Sequence, residues 1–186
     1  MASVIQKWFP VTDDFGFIHA PIEQVVKDLK VWSFSNGIEY VQTKIATSLP
    51  EAFESLLPLS HSKMRELFIA TKSEWTACFK NGIQGSDPST DMSQLSKRMG
   101  VMSMRVCSTP LGAKYPAVIL EVYAPESLGG NQYNHRRSIA AANDGGKWVF
   151  EQSGEPFPFE NIEAYGRTKK KDRFTREMLC EYLKHF

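Results

Sequence analysis

The residues best placed for chemistry in this 186-residue chain are charged groups set inside β-type runs. Glu121 stands in the middle of AVILEVYAP (117–125) and Glu151 within KWVFEQS (147–153). Two such carboxylates on one face would form an acid–base or metal pair. Arg65, Arg105, Arg136 and Arg137 also fall on expected strands. A row of guanidinium groups on one sheet face would bind phosphate or a carboxylate. The simpler reading pairs Glu121 and Glu151 with Arg105 or Arg136 across the sheet, or leaves them in solvent. A further candidate is the loop IQGSDPSTD (83–91), the longest stretch of turn-forming residues, which follows a strand bearing Trp75. Asp87-Pro88 suits a recognition loop and is also ordinary turn chemistry. Trp75, Asp87, Arg105, Glu121, Arg136 and Glu151 are therefore the candidate partner-binding residues.

Familiar catalytic and cofactor patterns are missing. His19, His61, His135 and His185 never fall within four residues of one another, which removes His-x-x-x-His and His-Glu-x-x-His metal motifs. Gly82-x-x-Gly85 and Gly129-Gly130 lack the strand–glycine–helix context of a dinucleotide fingerprint, and neither a P-loop nor a Gly-x-Ser-x-Gly elbow occurs. Cys78, Cys107 and Cys180 are far apart and never paired as Cys-x-x-Cys, so three buried, reduced thiols are expected. The reading is of a protein without catalytic residues, metal or cofactor. A net charge of +1 gives no global field for nucleic acid or an anionic membrane. The basic run RTKKKDRFTR (167–176) has only Phe174 for stacking, which argues against a nucleic-acid platform. No apolar run approaches the ~18–20 residues needed to span a bilayer, and MASVIQKWFP has no signal-peptide core. A cytoplasmic, soluble protein is expected.

The elements that must position these residues follow from periodicity and punctuation. A single domain over 1–186 is expected, with a helix-containing part at 1–60, a main sheet at 65–152 and C-terminal helices at 157–186. Short β-type runs at 4–10 and 15–19 precede a helix led by Pro21, with Ile22, Val25, Val26, Leu29 and Trp32 as its apolar stripe and Asn36-Gly37 as its stop. Residues 38–47 alternate well enough to predict a strand. Ser48 and Glu51 have capping-box spacing for a short helix. The sheet continues through 65–71, 74–81, 101–109 and 117–125, interrupted by a helix over 92–99 with Asp91 as cap and Gly100 as stop. The hairpin RRSIAAAN–KWVFEQS turns at Asn143-Asp144-Gly145-Gly146, by a two-residue or a bulged three-residue turn, and places Trp148 and Phe150 on one face. A short helix from Phe157 through Tyr165 and a last helix capped by Thr175 complete the chain. The sum is an α+β fold with a largely antiparallel sheet of six to eight strands and helices near both termini packed on one face.

The segment NDGGKWVFEQSGEPFPFE, followed by Tyr165, an Arg/Lys-rich connector, DRFT and a short amphipathic helix, resembles the C-terminal part of bacterial proteins. Some of these look like immunity proteins that accompany polymorphic or contact-dependent toxins. The resemblance covers about a quarter of the chain. It implies a small cytosolic α+β protein that neutralises a toxin by binding it through exposed polar and aromatic groups. The order of a strand, an Ala-Pro-led helix, a long antiparallel sheet and a terminal helix is also similar to helix-grip ligand-binding domains. That likeness implies an apolar pocket between sheet and last helix. The short last helix and the helix near 91–99 depart from it.

Overall fold

The computed structural model describes residues 8–83 and 87–186. Seven strands form one sheet: β1 (Asp14–Ile18), β2 (Glu66–Ala70), β3 (Thr76–Lys80), β4 (Ser103–Ser108), β5 (Ala117–Tyr123), β6 (His135–Asn143) and β7 (Trp148–Ser153). Their order is β2-β3-β1-β4-β5-β6-β7, and every neighbouring pair is antiparallel. Among the described residues four α-helices accompany them: α1 (Ile22–Ser35), α2 (Leu49–Ala52), α3 (Ser89–Met99) and α4 (Arg176–Tyr182). The α+β, antiparallel architecture is the one expected from the sequence. Among the described residues no helix is long and apolar enough to cross a membrane.

Side-chain alternation divides the sheet into two unlike faces. On β5, Val118, Leu120 and Val122 are buried while Ala117, Ile119, Glu121 and Tyr123 point the other way. The first face carries Met104, Val106, Leu120, Val122, Ile139 and Ala141, and Leu179 and Tyr182 of α4 pack on it together with Tyr165 and Phe174. Each of these buried aliphatic side chains contributes roughly 1.5–3 kcal/mol of apolar burial. Trp148 and Phe150 join this layer, as the hairpin pattern predicted. At the other end of the same face, Ala52 of α2 and Phe53 and Leu56 of the following 3-10 turn cover Leu67, Ala77 and Phe79.

The second face is covered over one half only. There Val25 and Leu29 of α1 and Met92 and Leu95 of α3 enclose Ile18 and Cys78. Gly16 makes this approach possible, because a Cβ there would fall 2.3 Å from the Met92 sulfur. Gly100, at φ 69°, ends α3 in the left-handed conformation that glycine adopts without strain.

Several local expectations change. Residues 38–47 form no strand; residues 38–49 are exposed throughout, and Val41 is 94% exposed. Alternation there marks a segment able to form a strand, but periodicity does not supply a neighbouring ladder. Its Tyr40 hydroxyl donates to the Glu66 carboxylate at 3.4 Å. Residues 4–7 of the strand expected at 4–10 lie outside the described residues, and 8–13 form turns. The helix expected to follow Asp91 starts at Ser89, with Pro88 in the capping position and Asp91 turned to an ion pair with Lys80. Ser48 precedes α2 without a side-chain cap hydrogen bond. The β6–β7 link is a four-residue loop, since Asn143 pairs with Trp148, and the Asn143 side chain accepts the Gly146 N–H at 2.9 Å. The short helix near 157–165 is a 3-10 turn over Ile162–Gly166.

Candidate functional site

Arg105 of β4 is the centre of a polar cluster on the second face. It lies directly across the ladder from Glu121 of β5 on one side and Gly16 of β1 on the other. The Arg105 fork reaches Asp14, two residues from Gly16 on β1 and on the same face of the sheet. Nε donates to Asp14 Oδ1 at 2.9 Å and Nη2 to Oδ2 at 2.6 Å, a two-pronged contact of the strong type. Nη1 donates to Glu121 Oε2 at 3.2 Å and to the Ser89 hydroxyl at 3.1 Å, and lies 3.3 Å from Asp87 Oδ2. Ser89, the first residue of α3, donates in turn to Glu121 at 3.1 Å and also bonds Asp87. The Tyr123 hydroxyl closes the group by donating to Glu121 at 3.0 Å.

Three carboxylates thus surround one guanidinium, and the cluster carries excess negative charge. Burial pushes the Asp14 carboxyl above its ordinary value; Arg105 opposes the shift, while Asp87 and Glu121 add to it. Burial works against the Arg105 charge as well, but the hydrogen bond and field of Asp14 outweigh it and keep the guanidinium protonated. Burial followed by the Glu121 charge raises the Tyr123 phenol. The cluster opens to solvent through Asp87, whose side chain is 57% exposed.

Beside this cluster α3 reaches the second face as far as β5, and among the described residues no α-helix packs on it over β6 and β7. Register pairs place Cys107, Ile119, Ala140 and Glu151 in one row across β4–β7, with Glu121, Ser138 and Ser153 in the next. Ile119, Ser138, Ala140 and Ala142 are half-buried, and Val149, Glu151 and Ser153 are exposed. The half-sheet therefore offers a shallow apolar strip edged by acids.

Of the six candidate partner-binding residues, the fold brings three together: Asp87, Arg105 and Glu121. Glu151 shares their sheet face, two residues from Ser153 in the row of Glu121. Trp75 does not belong to the site. It is buried in the core, and its indole N–H donates to the Phe186 carbonyl at 2.6 Å. Arg136 lies at the sheet end, where it donates to the Glu155 carbonyl at 2.7 Å and stacks over Phe157 at 4.5 Å. A row of arginines on one face, the alternative to Arg–Glu pairing, is not formed. Arg105 pairs with Glu121 while Arg137 pairs with Val122, and adjacent residues of a strand face opposite ways. Arg65 precedes β2. Residues 84–86 of the expected recognition loop lie outside the described residues.

Asp14, Ser89 and Tyr123 were not legible as members of this cluster. Asp13-Asp14 reads as a turn, and only the β1–β4 pairing carries Asp14 to Arg105 across 91 positions. Histidine and cysteine add no metal centre: no group of three potential ligands converges among the described residues. Burial pushes His135 below its usual value against the opposing charge of Glu121. Cys78 and Cys107 are buried, and Cys180 is exposed where a buried thiol was expected. Burial holds the Cys107 thiol up at about 12, which keeps it protonated and unreactive. No protein-family model matches this chain, nor does any curated protein or solved structure.

Proposed function

We propose that this chain is a non-enzymatic protein-binding protein that engages its partner through the uncovered half of the second sheet face. The observation that carries the reading is the juxtaposition of an apolar strip, Ile119, Ala140 and Val149, with the acid-rich Arg105 cluster at its border. Apolar contact supplies burial, and the acidic border favours a partner with a basic patch. Toxin neutralisation in a bacterium is the most concrete version of this reading, and it rests on the resemblance at 143–186. The helix-grip alternative finds less support, because Phe174, Leu179 and Tyr182 fill the space between the sheet and α4 where such a domain holds its ligand.

The test is co-expression with the product of each neighbouring gene, scored by growth and by co-purification. Rescue of growth by the wild-type chain, lost in Ala140→Arg and Glu121→Arg with unchanged far-UV circular dichroism, is the expected result. If no neighbouring product is toxic or co-purifies, the toxin version fails. Retention of binding by both variants removes the proposed face.

A further inference from the structure

Where β1 begins and β4 ends, the Ser108 N–H donates to the Asp13 carbonyl at 2.7 Å. The two side chains border a cavity of about 480 Å³, whose walls include Phe9, Pro110, Ala113 and Arg176. This cavity lies beyond the end of β1, and none of the residues of the proposed partner face lines it.

Two charged side chains and a hydroxyl meet at this cavity. Asp13 is only 6% exposed, and its carboxylate is acted on by burial and by the fields of Arg176 and Asp14. Arg176, the first residue of α4, acts on Asp13 through its field without a direct ion pair. The Ser108 hydroxyl is buried without a partner. A largely buried carboxylate is costly to ionise, and a cationic group brought against it from the cavity offsets that cost. Opposite charges that face one space without touching leave room for a ligand carrying both complements. Phe9, Pro110 and Ala113 supply an apolar wall for a hydrocarbon side group. The volume falls in the range of small-molecule sites, roughly 300–1,000 Å³.

We propose that this cavity binds a small zwitterion of the α-amino acid class, its ammonium on Asp13 and its carboxylate on Arg176. A simple anion fits less well. Burial, opposed by Arg176 and reinforced by Asp14, holds Asp13 at about 6, so near neutral pH it is mainly ionised and repels an anion. The groups around Asp13 are Asp14 on β1, Arg176 on α4 and the protonated Cys107 thiol on β4. An ammonium placed against the carboxylate turns the repulsion into attraction and releases the Asp13 proton.

The test is a ¹H–¹⁵N NMR titration of the full chain with each standard amino acid, with acetate and propylamine as half-ligand controls. At least one amino acid shifts the Ser108 and Ala113 amides, and its affinity falls about tenfold per pH unit below the Asp13 pKa. Arg176→Gln and Asp13→Asn each weaken binding about tenfold or more, with the amide spectrum otherwise preserved. Should Asp13→Asn perturb the fold, Arg176→Gln and the pH profile decide the matter. No amide shift with any amino acid at about 10 mM would overturn the proposal. So would acetate binding as tightly as the amino acids and tightening below pH 6, the mark of an anion site. Failure here leaves the partner-face reading intact, since the two share no residue.

Discussion

Arg105 and Arg137 sit two strands apart in one sheet and are used in opposite ways. Arg137 faces the core, where its side chain is 1% exposed and that of Glu160 is fully buried. Its Nε donates to Glu160 at 2.9 Å, Nη2 to Glu160 at 2.6 Å and to Gln152 at 2.7 Å, and Nη1 to the carbonyls of Ser153 and Gly154. Glu160 also takes the Tyr165 hydroxyl at 2.8 Å and the Phe157 N–H at 2.8 Å. Tyr182 bonds the Tyr165 hydroxyl and accepts the Asn161 N–H, which fixes α4 to the same network. One positive and one negative charge balance, and every guanidinium N–H has an acceptor. Arg105 instead meets three carboxylates and opens to solvent at Asp87. The satisfied, neutral cluster fastens the C-terminal segment to the sheet. The unbalanced, accessible one has capacity left for a partner.

The comparison breaks most readily at the buried pair. Glu160→Gln or Arg137→Met is expected to cost about 3–5 kcal/mol in urea denaturation, because each leaves an uncompensated charge or donor in the core. An equal cost at Arg105 would erase the distinction between the clusters.

Asp13 is a third case, a buried carboxylate acted on by the fields of Arg176 and Asp14. Its folded pKa of about 6 lies above the ordinary 3.8, so the folded chain holds this proton more tightly than the unfolded one. The stabilisation from the protonated group is therefore complete below about pH 4 and is lost as pH rises to about 6. Asp13→Asn should match the wild type at pH 4 and exceed it by roughly 2 kcal/mol at pH 7.5, measured by denaturation at both values. A constant difference between the two pH values would count against the buried carboxylate.

Arg105→Met removes the hydrogen-bond donor to Asp14, but water reaches this cluster. Its expected cost is about 1–2 kcal/mol, and less when combined with Asp14→Asn in a double-mutant cycle. The smallest effect belongs to Glu121→Gln, expected within about 0.5 kcal/mol because relief of acid crowding offsets the weakening of a partly buried pair. A change near that of Glu160→Gln would show Glu121 to be structural rather than available to a partner.

Part of this contrast was readable from the chain. The nearly continuous apolar run 117–125 and the two β-type runs within 135–153, with glycine-rich links, announce β5, β6 and β7, and Arg105 opposite Glu121 is one of the cross-strand pairings open at that stage. Consecutive Arg136 and Arg137 cannot share a row, since side chains of adjacent strand residues diverge. Residues 38–47 failed for a different reason: their pattern is that of a strand, but no ladder forms beside them. Glu160 carried no signal, because a carboxylate in PFPFE reads as the start of a helix until the chain is seen to fold it under Tyr165.

The sequence by itself determined the α+β class, the antiparallel run of the later strands and the lack of familiar catalytic motifs. Those features depend on local sterics, hydrophobic period and turn chemistry, which act between near neighbours. Only the tertiary structure decided which arginine is sealed in the core and which faces outward. It also turned Asp13 toward Arg176. These outcomes depend on sheet order: Asp14 meets Arg105 because β1 inserts between β3 and β4. Partners so distant in the chain are chosen by topology, and a charge's environment, paired, crowded or buried, is settled with them.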